Sequence, residues 1–346
     1  TPGGPIQVYD GSPLLIVYGT GGTPAAQAAL RAAAEFASQS PNTSWKDDRG
    51  EIDPGDKIPH WRNLFGCLAV KPDTAVTEAD LVRCNLVLLG TAVENSVVAR
   101  MADRLPVRLA DGRIVASDGF SLPAAQRTLG LLHFNPLAPT RLVFWVASSE
   151  PAGYSAEAAV PALCSPLFIG ADLLVTHATE RQLVATRSFD SRWRWLGGRE
   201  NSPVLAPQPE AHPALAHRIA EAVRRATGAD FAIAGRVPQL GAAPVLPGET
   251  RVADLAPLFY GHTIDVLEMT GAEVLAAQAC MEAVAPDAPE WVALQPAAPA
   301  ALDPTRTYRV AVPMALIGPF GRQTHLAPRG QRQTDTSVPE AILRFL

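Results

Sequence analysis

The sequence LLIVYGTGGTP, residues 14–24, joins a buried strand to a helix and indicates the fold class of the first half of the chain. Its first five residues form an apolar run closed by Gly19, which is typical of a strand buried on both faces of a sheet. Thr23 is suited to cap a helix, Pro24 to occupy its first position, and the alanine-rich segment 25–37 to continue it. This strand–turn–helix order predicts a parallel sheet with crossover helices.

The same alternation recurs further along the chain. A second apolar strand, Leu86–Leu89, precedes a predicted helix at Glu94–Arg104, and a third strand is predicted at Arg141–Ala147. Asp111-Gly112 predicts a hairpin turn before that third strand. We therefore predict an α/β, flavodoxin-like domain with a mostly parallel sheet.

Domain boundaries follow from a change in composition. A segment rich in Pro and Gly, residues 197–213, predicts a linker between a domain at 1–196 and a smaller α+β domain at 214–346. The second domain opens with a predicted helix at Ala214–Thr227. Thr263–Met269 alternates apolar and polar residues, as a half-buried strand should.

Composition excludes two classes of partner. The chain has 346 residues, with 29 Lys and Arg against 34 Asp and Glu and a net charge of −5. Nucleic-acid binding needs clustered basic residues, so we expect no nucleic-acid partner. No apolar run approaches the roughly 18 residues of a membrane span, so none is predicted.

The N-terminus and the cysteines bear on location. The chain starts TPGGP without Met, which indicates either a mature chain after signal removal or a cloning boundary; we expect a secreted or periplasmic protein. Cys67, Cys84, Cys164 and Cys280 lack metal-ligand spacing and are either buried thiols or two disulfides. Cys67 and Cys84 are the favoured bridged pair.

Several segments of the second half carry a resemblance. In chain order they are ADFAI (229–233), GET (248–250), DL (254–255), YGHT (260–263), EMTGAEV (268–274) and TYRVA (307–311). Over residues 214–320, their order and spacing resemble the C-terminal domain of bacterial 5′-nucleotidases. In that family this domain clamps a nucleoside between two aromatic rings, and a separate metallophosphatase domain performs the hydrolysis.

The sequence departs from that family where ligands bind. Residues 234–239 replace the NGGGIR-like loop, and residues 318–321 lack the acidic residue of the GGDG-type loop. Tyr260 remains as an aromatic platform, and so as a candidate ligand-binding residue. The seven histidines are scattered without a metal-binding pattern, so we predict no catalytic residue, no metal site and no cofactor.

The first half has a looser resemblance. Its segments are SPLLIVYGT (12–20), DT (73–74), TEAD (77–80), NLVLLG (85–90), EN (94–95), RLP (104–106) and SFDSRW (188–193). Over residues 5–195 they resemble an uncharacterised α/β domain at the tail of large secreted prolyl-oligopeptidase-like and esterase-like proteins. The resemblance implies an accessory role beside a hydrolase and supplies no catalytic residues.

Thr20, Gly21, Gly22 and Thr23 are the first candidate ligand-binding residues. Glycines between a strand and a helix permit close backbone approach, and free N–H groups at a helix start attract an anion. The alternative is a tight strand-to-helix turn with no ligand, since the motif is neither GxGxxG nor a P-loop.

Thr91 and Asn95 are candidates at the end of the neighbouring strand. The carboxyl ends of adjacent parallel strands border a common crevice, so these residues are expected to face Thr20. The alternative is an ordinary capped helix.

The segment DSRWRW, residues 190–195, places two Arg beside two Trp. It is suited either to stacking a carbohydrate or peptide or to cation–π packing onto the sheet. The sequence contains no GxSxG motif to indicate a nucleophilic serine.

The two resemblances, together with the absence of a catalytic motif, imply a non-catalytic accessory, binding or scaffolding module of a secreted or periplasmic hydrolase system. Its partner would be a protein or a larger precursor with hydrolase activity, and a homo-oligomer is compatible with the sequence. The alternative is a hydrolase of a phosphorylated or ester substrate, with its site in the crevice between Thr20 and Thr91 or in an interdomain cleft near Tyr260.

Overall fold

The computed structural model describes residues 8, 12–39, 68–154, 171–179, 183–198, 202–206, 212–235, 250–255, 263–284, 292–299, 301–314, 316–317 and 329–346. Over these residues the chain divides into two compact units. The first contains the described residues up to Thr186 except Ala171. The second contains Ala171 and the described residues from Arg187 onward.

The first unit alternates strands with helices. In chain order its elements are β1 (Leu14–Tyr18), α1 (Pro24–Gln39), β2 (Ala69–Pro72), α2 (Glu78–Arg83), β3 (Asn85–Leu89), α3 (Ser96–Met101), β4 (Val107–Ala110), β5 (Arg113–Ala116), β6 (Ser121–Pro123), β7 (Arg127–Asn135), β8 (Ala138–Ser148), β9 (Leu173–His177) and β10 (Leu183–Phe189). Short 3₁₀ turns lie at Asp73–Ala75, Ala102–Arg104 and Pro151–Tyr154.

Its main sheet has the strand order β10-β9-β7-β8-β3-β1-β2. The strands β2, β1, β3 and β8 are parallel, whereas β7 is antiparallel to both β8 and β9. The α/β class is confirmed. The expectation of a mostly parallel sheet is wrong for the part of the sheet around β7, where the pairing is antiparallel. Only Pro136 and Leu137 separate β7 from β8, and so short a connection allows a hairpin and no crossover.

The centre of this sheet is apolar on both sides. The strands β1 and β3 are almost wholly buried, and α1 contributes buried side chains that include Leu30 and Ala33. A separate sheet of β4, β5 and β6 contains the predicted hairpin, with both Asp111 and Gly112 at positive φ in its turn.

His133 on β7 makes stability depend on pH. Burial lowers its pKa to about 4, although a hydrogen bond with the Phe134 carbonyl opposes the shift. In the unfolded chain a histidine titrates near 6.5, so the unfolded state binds the proton more readily and stability falls as the pH drops. We expect a loss of about 2–3 kcal/mol between about pH 7 and about pH 4.5 from this group.

Urea unfolding of the wild type and of His133→Phe at both pH values measures this loss. The variant should lose less stability on acidification because it lacks the titrating ring. Equal losses in the two proteins would contradict the assignment.

The second unit begins within β10 and is built around another sheet. Its further elements are β11 (Trp195–Gly198), β12 (Val204–Ala206), α4 (His212–Thr227), β13 (Phe231–Gly235), β14 (Thr250–Arg251), α5 (Val252–Leu255), β15 (Thr263–Thr270), α6 (Gly271–Glu282), β16 (Val292–Gln295), β17 (Thr307–Pro313), β18 (Arg329–Ser337) and α7 (Val338–Phe345). The segment predicted as a linker contains β12, which pairs with β14.

The five-stranded sheet of this unit has the order β16-β13-β17-β15-β18. One face packs with α4 and α7 through residues such as Ile219 and Ile342. The other face packs with α6 through Val274 and Met281. The helix α6 begins at Gly271 because Thr270 and Glu273 form a capping box.

Candidate functional site

The Gly19–Thr23 loop and the turn at Thr91–Asn95 lie against each other, as predicted for neighbouring strand ends. The strands β1 and β3 pair in parallel, with Tyr18 beside Leu89, so both chains leave the sheet at the same edge. The Gly19 N–H donates to the Leu89 carbonyl at 3.0 Å, and the Gly21 N–H donates to the Glu94 carbonyl at 2.8 Å.

The glycines in this loop provide space for the chain itself. A Cβ added to Gly19 would lie 2.4 Å from the Glu94 carbonyl oxygen, and one added to Gly21 would lie 2.6 Å from the Val93 carbonyl oxygen. Gly22 has a positive φ of 81°. The close backbone approach that suggested a ligand is therefore made to residues 93–95, which matches the tight-turn alternative.

Asp73 lies at the centre of this arrangement, although it was not among the candidate site residues and was named only within the DT segment, residues 73–74, of the first-half resemblance. One carboxylate oxygen accepts hydrogen bonds from the Thr20 N–H at 3.0 Å and the Thr20 hydroxyl at 2.7 Å. The other accepts from the Ser96 N–H at 2.7 Å. Asp73 directly follows β2, so its place at the end of a strand was a further signal that could have made it a candidate site residue.

Electrostatics favour a charged carboxylate at this position. Asp73 is only 5% exposed. Burial raises its pKa, but the hydrogen bonds from Ser96 and Thr20 outweigh burial and hold the pKa below its ordinary value. The chain thus places an anion of its own between the two loops.

Asn95 caps α3 and is completely buried. Its side-chain oxygen accepts from the N–H groups of Val97 at 3.0 Å and Val98 at 3.2 Å. Its amide nitrogen donates to the Leu89 carbonyl at 2.9 Å and the Val17 carbonyl at 3.4 Å. The capped-helix alternative therefore describes Asn95, and α3 begins at Ser96 rather than at Glu94 because of this cap.

Glu94 and Tyr154 connect the end of β8 to the same edge of the sheet. One Glu94 carboxylate oxygen accepts from the Thr91 N–H at 2.8 Å and from the Tyr154 hydroxyl at 2.9 Å. The Ser148 N–H, at the end of β8, donates to the Tyr154 oxygen at 2.9 Å. Burial raises the pKa of Tyr154 well above its ordinary value, and the Glu94 charge adds to that effect. The phenol therefore stays protonated and acts as a donor.

The remaining predicted residues lie toward the surface. Thr20 and Thr91 are half-buried, Thr23 is exposed, and the Thr23 hydroxyl accepts from the Ala26 N–H at 3.2 Å as a helix cap. Tyr260 lies outside the described residues. The structure thus brings Thr20, Gly21 and Gly22 beside the Thr91–Asn95 turn.

The DSRWRW segment packs through its Trp195 ring, but the cation on that ring comes from outside the segment. Phe189 and Trp195 stack with ring centroids 4.0 Å apart, and the cation over Trp195 is Arg187, at 5.7 Å. Neither Arg192 nor Arg194 has that position. The Arg194 guanidinium instead pairs with Asp190 at 2.7 Å.

Other expectations concern metals, thiols and membranes. In the described part of the chain, no group of three His, Cys, Asp or Glu residues could hold a metal ion, and no helix is long and apolar enough to cross a membrane. Cys84 and Cys280 carry free thiols, so Cys84 follows the free-thiol alternative and not the disulfide alternative. Cys67 and Cys164 lie outside the described residues.

Searches against known proteins gave matches among solved structures alone. No protein-family model matches the sequence, and no curated protein matches it significantly. A 5′-nucleotidase precursor from Thermus thermophilus is similar over 62% of this chain and 50% of its own, with 17% identity and a TM-score of 0.30.

Two further solved structures give comparable values. A putative 5′-nucleotidase from Staphylococcus aureus is similar over 45% of this chain and 37% of its own, with 12% identity and a TM-score of 0.31. The NAD nucleotidase of Haemophilus influenzae is similar over 62% of this chain and 54% of its own, with 15% identity and a TM-score of 0.29. The chain spans about half the length of these nucleotidases or less.

Proposed function

We propose that the chain is a non-catalytic accessory module that binds or scaffolds within a secreted or periplasmic hydrolase system. In this proposal the second unit is a degenerate relative of the C-terminal domain of 5′-nucleotidases. The first unit corresponds to the α/β domain found at the tail of prolyl-oligopeptidase-like and esterase-like proteins. Its partner is a hydrolase, present as a separate chain or as part of a longer precursor.

The observation that supports this proposal is the way the chain occupies its own crevice. A strand–turn–helix site for an anionic ligand offers glycine space and free N–H donors at a helix start. Here the carboxylate of Asp73 accepts from the Ser96 N–H and from Thr20, and the Asn95 side chain accepts from the next two N–H groups of α3. A phosphate or ester substrate would have to displace an internal anion whose two oxygens are both already hydrogen-bonded.

The outer rim of the crevice remains suited to a partner. Thr20, Gly22, Thr23 and Thr91 are exposed or half-buried at this edge. Val93, at the tip of the adjoining turn, has 84% of its surface exposed. A rigid, internally bonded surface with an apolar tip favours contact with a protein over turnover of a small substrate.

Purification of the untagged chain from its native source, followed by mass photometry and mass spectrometry, tests the proposal. We expect a stoichiometric hydrolase partner or a larger precursor. A lone monomer that hydrolyses p-nitrophenyl phosphate, a nucleotide or p-nitrophenyl acetate would contradict it and establish the enzyme alternative.

A matched pair of variants locates the contact. Val93→Glu places a charge at the tip of the turn that follows β3, whereas Val82→Glu places one on α2, which precedes β3 at the opposite end of the strand. Val82 is 58% exposed, so both substitutions leave the core intact. Partner recovery should fall at least tenfold for Val93→Glu and stay unchanged for Val82→Glu; equal recovery from both would remove this edge from the proposal.

A further inference from the structure

Asp265 on β15 is a buried carboxylate with an unused oxygen. The residue is 2% exposed and lies between Val312 of β17 and Gln333 of β18. One of its oxygens accepts a hydrogen bond from the Gln331 side-chain amide at 2.7 Å. The other is buried and accepts none from the described residues.

Burial of this oxygen without a hydrogen-bond donor lowers the stability of the folded protein. The neighbouring residues Ile264, Val266 and Leu267 are all buried in the apolar clusters on the two faces of the sheet. A carboxylate oxygen shielded from water without a donor is strongly destabilising, and an apolar side chain would fit such a strand better. Unsatisfied buried groups of this kind are rare, and each calls for an explanation such as a bound ion or a functional role.

The surroundings of Asp265 are a set of neutral hydrogen-bonding side chains. Thr263 lies two residues before it, on the same side of the strand, and its hydroxyl accepts from the Gln333 amide at 2.7 Å. Gln331 and Gln333 both reach across from β18, the edge strand, and both are exposed. The pairing of β15 with β18 shifts register on either side of Asp265.

The two glutamines cover the carboxylate from the solvent side. The Gln331 amide nitrogen donates to Asp265 and the Gln333 amide nitrogen donates to Thr263. Rotation of either exposed side chain would present an amide oxygen instead, and rotation of Gln331 would also release the Asp265 oxygen that it now bonds. After such a rotation, the acceptors beside the Asp265 carboxylate are the glutamine amide oxygens and the Thr263 hydroxyl, all of which are neutral. The set carries a single negative charge.

We propose that Asp265, with Gln331, Gln333 and Thr263, binds the primary ammonium group of a small ligand. An ammonium carries one positive charge and three N–H donors, which matches one carboxylate and two amide oxygens. A divalent cation would remain uncompensated by this single charge. The site is independent of the crevice in the first unit and of the accessory role proposed above.

Side-chain NMR of the full chain, labelled with ¹⁵N-glutamine, tests this inference with n-butylammonium chloride as the probe. The amide resonances of Gln331 and Gln333 should shift and saturate with the ammonium. They should remain in place with potassium chloride at the same ionic strength and with 1-butanol. Shifts of equal size with potassium chloride or 1-butanol, or none with the ammonium, would overturn the proposal.

Variants separate binding from a structural role. Asp265→Asn keeps the shape and should abolish the ammonium-dependent shifts, whereas Asp335→Asn, at an exposed position of β18, should retain them. Asp265→Val should raise the melting temperature, because it removes the orphan oxygen from the sheet. Ammonium-dependent shifts that persist in Asp265→Asn would overturn the site. Should Asp265→Val fail to fold, the wild-type titration and Asp265→Asn still decide.

Discussion

Replacement of Asp73 by alanine is expected to destabilise the protein by about 3 kcal/mol or more. The carboxylate accepts three hydrogen bonds, two from Thr20 and one from Ser96, and its removal leaves these donors without a partner in a poorly solvated position. Since the residue ties the ends of β2 and β1 to the start of α3, the effect should reach all three elements. Urea unfolding followed by circular dichroism measures the loss.

Two comparisons make this result specific to the carboxylate. Asp73→Asn keeps the volume but removes the charge and one acceptor, so it should cost an intermediate amount. Asp103→Asn, at an exposed position in the turn after α3, should be neutral within about 0.5 kcal/mol. An Asp73→Ala protein as stable as Asp103→Asn would show that the two loops are held by other contacts.

The stabilising effect of Asp73 also depends on pH. Its pKa is lower in the folded state than in the unfolded chain, so its contribution is present above about pH 4 and is lost as the pH falls below that value. The stability difference between the wild type and Asp73→Asn should therefore shrink in acid. A difference that grows on acidification would contradict the charged state assigned to this residue.

Gly21→Val is the second substitution with a large expected effect. The first carbon of the new side chain would lie 2.6 Å from the Val93 carbonyl oxygen and 3.0 Å from that of Glu94. Both neighbours are backbone atoms, so no side chain can rotate away. The loop must separate from the turn and lose the hydrogen bond from Gly21 to Glu94. We expect a loss of about 3 kcal/mol or a failure to fold.

Ala25→Val is the control for this substitution, because it adds two methyl groups at an exposed position in the first turn of α1. It should cost about 0.5 kcal/mol through helix propensity alone. Comparison of the two melting temperatures, with partner recovery measured for any folded variant, tests the packing of the loop. If Gly21→Val has the same melting temperature as Ala25→Val and still recovers the partner, the close approach of the Gly21 loop to residues 93–95 is contradicted.

The local elements of this protein can be read from its sequence. The apolar runs of β1 and β3, the Asp111-Gly112 turn of the β4–β5 hairpin and the Thr270 cap of α6 all follow from contacts between residues a few positions apart. The spacing of apolar residues, the residue types of turns and helix capping all act over such short distances, so they can be recognised in the sequence. Thr20 and Thr91 could likewise be assigned to one sheet edge, since the ends of adjacent parallel strands meet there.

The contacts that these residues make depend on the three-dimensional fold. Asp73 bonds to Thr20 across 53 positions, Tyr154 to Glu94 across 60, and Gln331 to Asp265 across 66. No local pattern indicates such pairs, because a carboxylate has the same sequence context whether water, a backbone N–H or a distant glutamine satisfies it. The strand β7 was not predicted at all, so the antiparallel part of the sheet stayed hidden. Even for a predicted strand, an apolar run shows only that it is buried, and its pairing shows which way it runs.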